Sequence, residues 1–536
     1  MPAWNYATMW EIAAANLPEA TALVQGDNRV TWAELDRRAD GLAQHLLGHD
    51  LAAQDKVALY LYNCPEYLES CYAACKAGLV PVNTNYRYAD DELVYLWDNA
   101  DAVAVVFHGA FAERVERVRE RVPGVKVWYW VDDGSGPCPD WAVDHADAIA
   151  TPADGPVVAP WGRGADDIIM LYTGGTTGMP KGVMWRQDDL VRGLMGSSSF
   201  FRGEADMDAY RARITRPGKV GLPACPLMHG TGLFSALSVL STGGRVALLA
   251  GRHLDIVELL DTYEREAVNV SAIVGDTFAK PMLAALDAEP DRWDISNLQV
   301  LQSSGVMWSE ATKQGLLRHN PKLRLVDTFS SSEALGMGES VSTAASAAQT
   351  ARFRLGDNAR VIDDAGRDVA PGSGQAGRVA VKGFQPVGYY KDPEKSAATF
   401  VTIEGARYSI PGDYALVEAD GTLTLLGRGS VCINTGGEKV FPEEVEEVLK
   451  EHPDVADAVV VGVPDDRFGE AITAVVEPLG GRSVDGDALI AFVKERLAHY
   501  KAPRNVVTID TIGRAPNAKV DYKRLRTFAS DAVGAT

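Results

Sequence analysis

The sequence predicts an α/β protein. Its large N-terminal domain, residues 1–429, is expected to hold parallel-type sheets flanked by helices, with a small β-rich subdomain at about 345–427; a small α+β domain follows over 430–536. Three observations predict this. Short apolar runs alternate with helical stretches through the first three hundred or so residues, the pattern of parallel sheets with helices on both faces. Near 356–380 that pattern gives way to short strands separated by Gly/Asp turns. At 536 residues the chain is also too long for one compact core, so two or more domains are expected.

The elements follow in order. "TWAE" (31–34) is a capping box that starts a helix running through "LDRRADGLAQHLL". "KVALYLY" (56–62) is a strand, "PEYLESCYAACKAG" a helix ending at Gly78, and "VPVNTN" the next strand. "ADAVAVVF" repeats the strand signal after the helical "ADDELVYLWDNA", and "RVALLA", "NVSAIVG" and "LQVLQSSG" continue it. "RVIDDAGRDVAPGSGQAGRVAVKG" supplies the β-rich subdomain. The last module has a helix from Pro442, strands "ADAVVVGV" and "AITAVVEP", a helix "DALIAFVKERLAHY" and a strand "NVVTID". The tail "SDAVGAT" is expected to be loose.

Composition narrows the function. Hydrophobic residues make up 46% and charged residues 23%, the profile of a globular enzyme. A net charge of −21 argues against nucleic-acid and anionic-membrane partners, which need a basic face. No signal-peptide pattern opens the chain, and no run of about eighteen apolar residues suggests an integral membrane segment. Six cysteines (64, 71, 75, 138, 225, 432) lack a pairing rhythm, so reduced thiols and a cytoplasmic location are expected. Cys71 and Cys75 read as buried packing, with no second pair or histidine to make a metal site. Oligomeric state stays open, a homodimer included.

Chemistry concentrates in "LYTGGTTGMPKG" (171–182). It is not a Walker A loop, because Met179 and Pro180 separate Gly178 from Lys181 and strands flank it on both sides. A glycine-rich loop between strands can still turn backbone N–H groups onto phosphate. The hydroxyls of Thr173, Thr176 and Thr177 add donors, and Lys181 adds charge. Two other patterns carry less. "GSGQAG" (372–377) matches G-x-G-x-x-G but precedes a strand, so it is a turn; "HLLGH" (45–49) lacks the zincin glutamate, so its histidines read as solvated at a helix end.

Further motifs follow in fixed order: "PLMHGTG" (226–232), "DTFSSSEALG" (327–336), "YSIPGDYA" (408–415), "LLGRGSVCINTGGEKVFPEEVE" (425–446) and "RAPNAKVDYKRL" (514–525). With the loop, they closely resemble the adenylate-forming superfamily of acyl-CoA synthetases, firefly luciferase and peptide-synthetase adenylation domains. The resemblance spans nearly the whole chain. "LYTGGTTGMPKGVMWR" and "IPGDYA" together look most like bacterial synthetases acting on fatty and steroid-side-chain acids.

The resemblance implies ATP, Mg2+ and coenzyme A as cofactors and a small carboxylic acid as substrate. It puts Thr173, Gly174, Gly175, Thr176, Thr177, Gly178 and Lys181 on the ATP phosphates, Glu333 on Mg2+, and Ser332, where the family usually has Thr, on the α-phosphate. Asp413 matches the position that accepts from both ribose hydroxyls, and Arg428 reaches ribose or phosphate. Ser304, Gly305, Thr328 and Phe329 fall on the adenine side. Lys519 matches the catalytic lysine, although Ala518 replaces the usual glycine before it. The C-terminal domain is expected to be mobile, with Ser430 at the hinge position, so that Gly436 and Gly437 line a pantetheine tunnel in the second step. His229 is placed between acyl pocket and tunnel, and Trp185, Val274, Gly275 and Met307 are candidates for the pocket wall.

The expected activity is ATP-dependent acyl-CoA ligation through an acyl-adenylate, with free coenzyme A as acceptor because no carrier domain follows in the sequence. The alternatives are delivery to a carrier protein, luciferase-like oxidation of the adenylate, and a non-catalytic nucleotide- or acyl-binding relative.

Overall fold

The computed structural model describes residues 4–173, 179–197, 201, 203–304, 308–346, 352–435, 438–465, 469–497, 499–515 and 520–534. Two compact units emerge. One comprises Met1–Thr173, Pro180–Thr350 and Lys382–Ser409; the other comprises Gly174–Met179, Ala351–Val381 and Ile410–Thr536.

The first unit is built on two sheets. An eight-stranded sheet runs, in spatial order, Gly388–Tyr389, Lys181–Arg186, Ile168–Thr173, Val80–Asn83, Lys56–Tyr60, Ala102–His108, Val127–Val131 and Val143–Asp144. Its strands are parallel from Ile168–Thr173 onward. Ile168–Thr173 and Lys181–Arg186 form an antiparallel hairpin, edged by Gly388–Tyr389. The second sheet has parallel strands Thr21–Gln25, Arg245–Leu248, Val220–Pro223, Val270–Ile273, Val300–Ser304 and Arg324–Ser331, bounded by the antiparallel strands Asn28–Thr31 and Ala334–Ser342. The alternating sequence pattern thus yields parallel sheets whose strands are joined through helices, as parallel pairing requires.

The helices read close to expectation. Thr31 caps the helix Trp32–Leu47, its side chain accepting from the Glu34 N–H. The capping box is only half made: Glu34 turns outward to Arg37 and Arg38 at 2.9 and 2.6 Å. Helix Pro65–Lys76 is buried on every side, Cys71 and Cys75 among its packing residues. Its last residue, Lys76, has a fully buried side chain, met by Glu11, Asp36 and Asp40 at 3.0, 2.8 and 2.8 Å. His45 is half-buried, its Nδ1 2.9 Å from the Tyr129 hydroxyl, so it is less solvated than the sequence suggested.

In the second unit, strands Arg352–Leu355, Thr422–Arg428, Asp413–Val417, Gly377–Lys382 and Ala359–Ile362 pair antiparallel, the β-rich segment the turns foretold. A separate sheet follows: Glu438–Val440, Ile433–Thr435, Gly469–Pro478 and Val455–Asp465, with Asn505–Thr508 parallel to Gly469–Pro478. Side chains alternate across that sheet. Ala458 and Val460 pack with Val445, Leu449, Leu489 and Val493 of helices Pro442–Lys450 and Gly486–Lys494. Val459, Val461 and Val463 face Leu525 and Ala529 of helix Tyr522–Val533. That two-sided burial explains the unbroken apolar run "AVVVGV", which a one-faced sheet would not need.

The C-terminal tail corrects the sequence reading. Ser530–Val533 continue the last helix, because Leu525 and Ala529 are fully buried and anchor it. Gly534, at φ +68°, ends it in the left-handed conformation that favours glycine. Among the described residues no helix is long and apolar enough to cross a membrane.

Candidate active site

The strands on either side of the glycine-rich stretch pair as an antiparallel hairpin. Thr173 ends one strand and Lys181 begins the next, as cross-strand partners. Gly174, Gly175, Thr176, Thr177 and Gly178 lie outside the described residues. The root of the hairpin is fixed by buried Asn83, whose amide accepts from the Tyr172 N–H at 2.6 Å and donates to the carbonyls of Tyr172 and Met228 at 2.9 and 2.7 Å. One side chain therefore ties the strand entering the loop to "PLMHGTG", where His229 stands half-buried at the cap of helix Gly230–Leu240. Gly232 cannot be replaced cheaply there, since a Cβ would come within 2.4 Å of the Pro226 carbonyl oxygen.

A second cluster forms where the adjacent strands Arg324–Ser331 and Ala334–Ser342 turn. Ser304, at the end of Val300–Ser304, is in register with Thr328. Thr328 accepts from the Gln302 side-chain amide at 3.1 Å, and Phe329 is buried. Ser332 and Glu333 occupy the turn itself, with Glu333 only 8% exposed. Three distant side chains hold that turn. The Trp185 indole N–H donates to the Ser332 carbonyl at 2.8 Å, the Ser409 hydroxyl to the Glu333 carbonyl at 2.7 Å, and the Tyr389 hydroxyl to Glu333 Oε1 at 2.9 Å. Trp185, a candidate pocket wall from sequence, is fully buried and supports this turn. Val274 and Gly275 are buried at the start of helix Gly275–Ala288; Gly305 and Met307 lie outside the described residues.

Lys181 pairs with Asp392, which also caps helix Pro393–Thr399 by accepting from the Lys395 N–H. The ammonium partner, then the backbone bond, holds the Asp392 carboxyl below its ordinary range. Sequence reading missed Asn83, Tyr389 and Asp392. Each acts through a contact far along the chain, and the only local signal was a polar residue beside an apolar strand run.

In the second unit Asp413 is buried and directly opposite Arg428 across antiparallel strands. Ser430 falls within the single 3-10 turn Gly429–Val431. Gly436, Gly437, Ala518 and Lys519 lie outside the described residues.

The donor set suits Mg2+. That ion takes one or two carboxylates and completes its octahedron with waters and substrate phosphates. A single buried carboxylate such as Glu333 therefore fits, whereas an all-protein cage would need more; no cluster of three or more metal-ligating side chains exists among the described residues.

The family model of the AMP-binding enzyme matches residues 10–390, and that of the AMP-binding enzyme C-terminal domain matches residues 444–519. The chain belongs to the AMP-binding enzyme family. This AMP-binding enzyme is 42% identical, over 97% of its length and 96% of the relative's, to a Mycobacterium marinum ligase of medium/long-chain fatty acids and 3-oxocholest-4-en-26-oate with CoA. It is 40% identical, over 99% and 96%, to a 3-oxocholest-4-en-26-oate–CoA ligase of Rhodococcus rhodochrous. Among solved structures, ATP-bound MatB from Rhodopseudomonas palustris superposes with a TM-score of 0.80 at 25% identity, covering 98% of this chain and 99% of that one. The α/β architecture with its C-terminal module is thus that of an AMP-binding enzyme, as the motif order implied.

Proposed function

We propose that this AMP-binding enzyme is an ATP-dependent acyl-CoA ligase for a hydrophobic carboxylic acid, a medium- or long-chain fatty acid or a steroid-side-chain acid. The observation that carries the reading is 40–42% identity, over nearly the full length of both chains, to ligases of those acids.

The chemistry needs two steps because oxide is too poor a leaving group for a thiol to displace. In the first, the substrate carboxylate attacks the α-phosphorus of ATP, the bond to the β-phosphate oxygen breaks, and pyrophosphate leaves. In the second, the CoA thiolate attacks the acyl carbon and AMP leaves with the bonding electrons. Thr173, 174–178 and Lys181 hold the β- and γ-phosphates, and Ser332 contacts the α-phosphate. Glu333 would hold Mg2+, which when bound neutralises charge building on the phosphate oxygens. Asp413 takes the ribose hydroxyls in a charge-assisted pair of hydrogen bonds. Arg428 reaches ribose or phosphate, and Ser304, Gly305, Thr328 and Phe329 line the adenine side. Lys519 bridges carboxylate and α-phosphate, stabilising the oxygen charge of the pentavalent transition state.

The second step uses Gly436 and Gly437 beside the pantetheine arm, with His229 between acyl chain and thiol. We divide the chain at 429/430 into an adenylation domain and a mobile C-terminal domain turning at Ser430. A cytoplasmic location goes with the reading, supported by six free cysteines. The oligomeric state is open between monomer and homodimer, and light scattering decides it.

The test is pyrophosphate release with ATP, Mg2+ and a panel of acids, with and without CoA. Multiple turnover only with CoA, fastest for long or steroidal acids, is expected. Stoichiometric release indifferent to CoA would mean a carrier protein or another acceptor. Best kcat/KM with acetate or propionate would overturn the substrate class, and no release with any acid would overturn the activity.

A further inference from the structure

The segment "GYYKD" (388–392) reaches two of the groups assigned to the phosphate site. Its backbone is fixed against the strand after the glycine-rich loop: Val387 N–H donates to Met184 O and Tyr390 N–H to Gly182 O, each at 2.8 Å, with Tyr389 opposite Val183. The Tyr389 N–H donates to the Ser396 hydroxyl at 2.8 Å, and its ring lies 5.8 Å from that of Phe400. Main chain and ring thus leave the phenol little freedom. Its hydroxyl meets Glu333 Oε1 at 2.9 Å, across 56 residues of sequence, with the two residues only 7% and 8% exposed. Three residues on, Asp392 holds Lys181.

We propose that this segment is a brace for the phosphate site, in which Tyr389 is the positioning residue for Glu333. The inference rests on the assignment of Glu333 to Mg2+. The terminal torsion of a glutamate is broad, so an unsupported carboxylate presents its oxygens over a wide range of angles. A neutral phenol donating to Oε1 fixes that torsion, adds no competing charge, and leaves Oε2 to face the ion. Outer hydrogen bonds of this kind orient metal ligands, and losing one typically weakens metal affinity by about 10–100-fold. The neighbouring Tyr390 provides the control. It sits on the same segment, but its hydroxyl accepts from Lys56 at 3.0 Å and donates to Asp101 at 2.7 Å, away from Glu333.

The experiment compares the full-length protein with Tyr389→Phe and Tyr390→Phe, the first keeping the ring against Phe400. Mn2+ binding is read by electron paramagnetic resonance with α,β-methylene-ATP present, and pyrophosphate release is read against Mg2+ concentration. Tyr389→Phe is expected to bind Mn2+ about 10–100-fold more weakly. It is expected to need correspondingly more Mg2+ while recovering most of its rate at saturation; Tyr390→Phe is expected to match the parent in both. Unchanged Mn2+ affinity in Tyr389→Phe overturns the proposal. So does a rate lowered by one factor at every Mg2+ concentration, or a parent that binds no Mn2+ beside the nucleotide. If the parent releases no pyrophosphate with any acid, the ligase reading falls, and the Mn2+ titration still decides the role of Tyr389.

Discussion

Replacing Lys313 with Met tests how the strand Arg324–Ser331, which we assign to the adenine side, is held. The Lys313 ammonium lies 2.5 Å from Asp327, with side chains 1% and 9% exposed, and Asp327 immediately precedes Thr328 and Phe329. At that distance and an effective dielectric of about 20, the pair attracts by about 6–7 kcal/mol. Much of this is offset by the cost of burying both charges, but removing one partner leaves the other uncompensated, at a net loss of about 3–5 kcal/mol. Burial already raises the Asp327 carboxyl above its ordinary range, against the opposing pull of Lys313. Without the lysine it rises further, so the folded state keeps a proton that the unfolded chain releases near pH 4. The penalty must therefore grow as pH rises from there toward the new folded value. Chemical denaturation of Lys313→Met, Asp327→Leu and the double variant at pH 5 and pH 8 measures this. The expected order is a large loss for Lys313→Met at pH 8, a smaller one at pH 5, and recovery of most of it in the double variant. A single-variant loss below about 1 kcal/mol, or a double variant as unstable as the sum of the singles, would refute the reasoning.

Glu333→Gln keeps the side-chain shape but removes the charge that would hold Mg2+; adenylate formation should fall more than about 100-fold with acid KM little changed, as read by pyrophosphate release. Lys519→Ala should slow adenylate formation by about 10²–10³-fold while leaving thioester formation from supplied acyl-adenylate near the parent rate; normal adenylation in this variant would remove the lysine from the mechanism. Glu69 is fully buried, with Arg38 and His145 only at 3.6 and 3.7 Å, and burial pushes its carboxyl up to about 8. The folded protein then retains a proton that the unfolded chain loses near pH 4.3, so stability should fall from there to about pH 8. Glu69→Gln should flatten that slope in urea midpoints taken across the window, and an unchanged slope would disprove the assignment.

Much of the fold was legible because periodicity and turn chemistry are local. The strands flanking the glycine-rich loop and the helix at Pro65–Lys76 both follow from patterns within about ten residues. What failed was decided at a distance. Glu34 answered to Arg37 and Arg38 rather than to its own helix start, and the tail was held by Leu525 and Ala529 against a strand sixty residues earlier. Position at the chain's end argued for looseness at 530–536, but two buried apolar residues one turn apart outweighed it through Val533.

The same distinction separates the residues that carry chemistry from those that aim it. Glu333, Asp413 and Lys181, which we assign to Mg2+, ribose and phosphate, stand in motifs that can be read from the sequence. Tyr389, Asp392 and Asn83 have no such surroundings. Their partners lie 56, 211 and up to 145 residues away, and only sheet register brings them together. Two consecutive tyrosines show why sequence cannot make the choice. Tyr389 and Tyr390 are chemically identical, yet strand alternation sends one toward Glu333 and the other to Lys56 and Asp101. A one-residue slip of the edge strand would turn Tyr389 to the opposite face, away from Glu333. The pairing of Tyr389 with Val183 therefore decides which of the two hydroxyls meets Glu333.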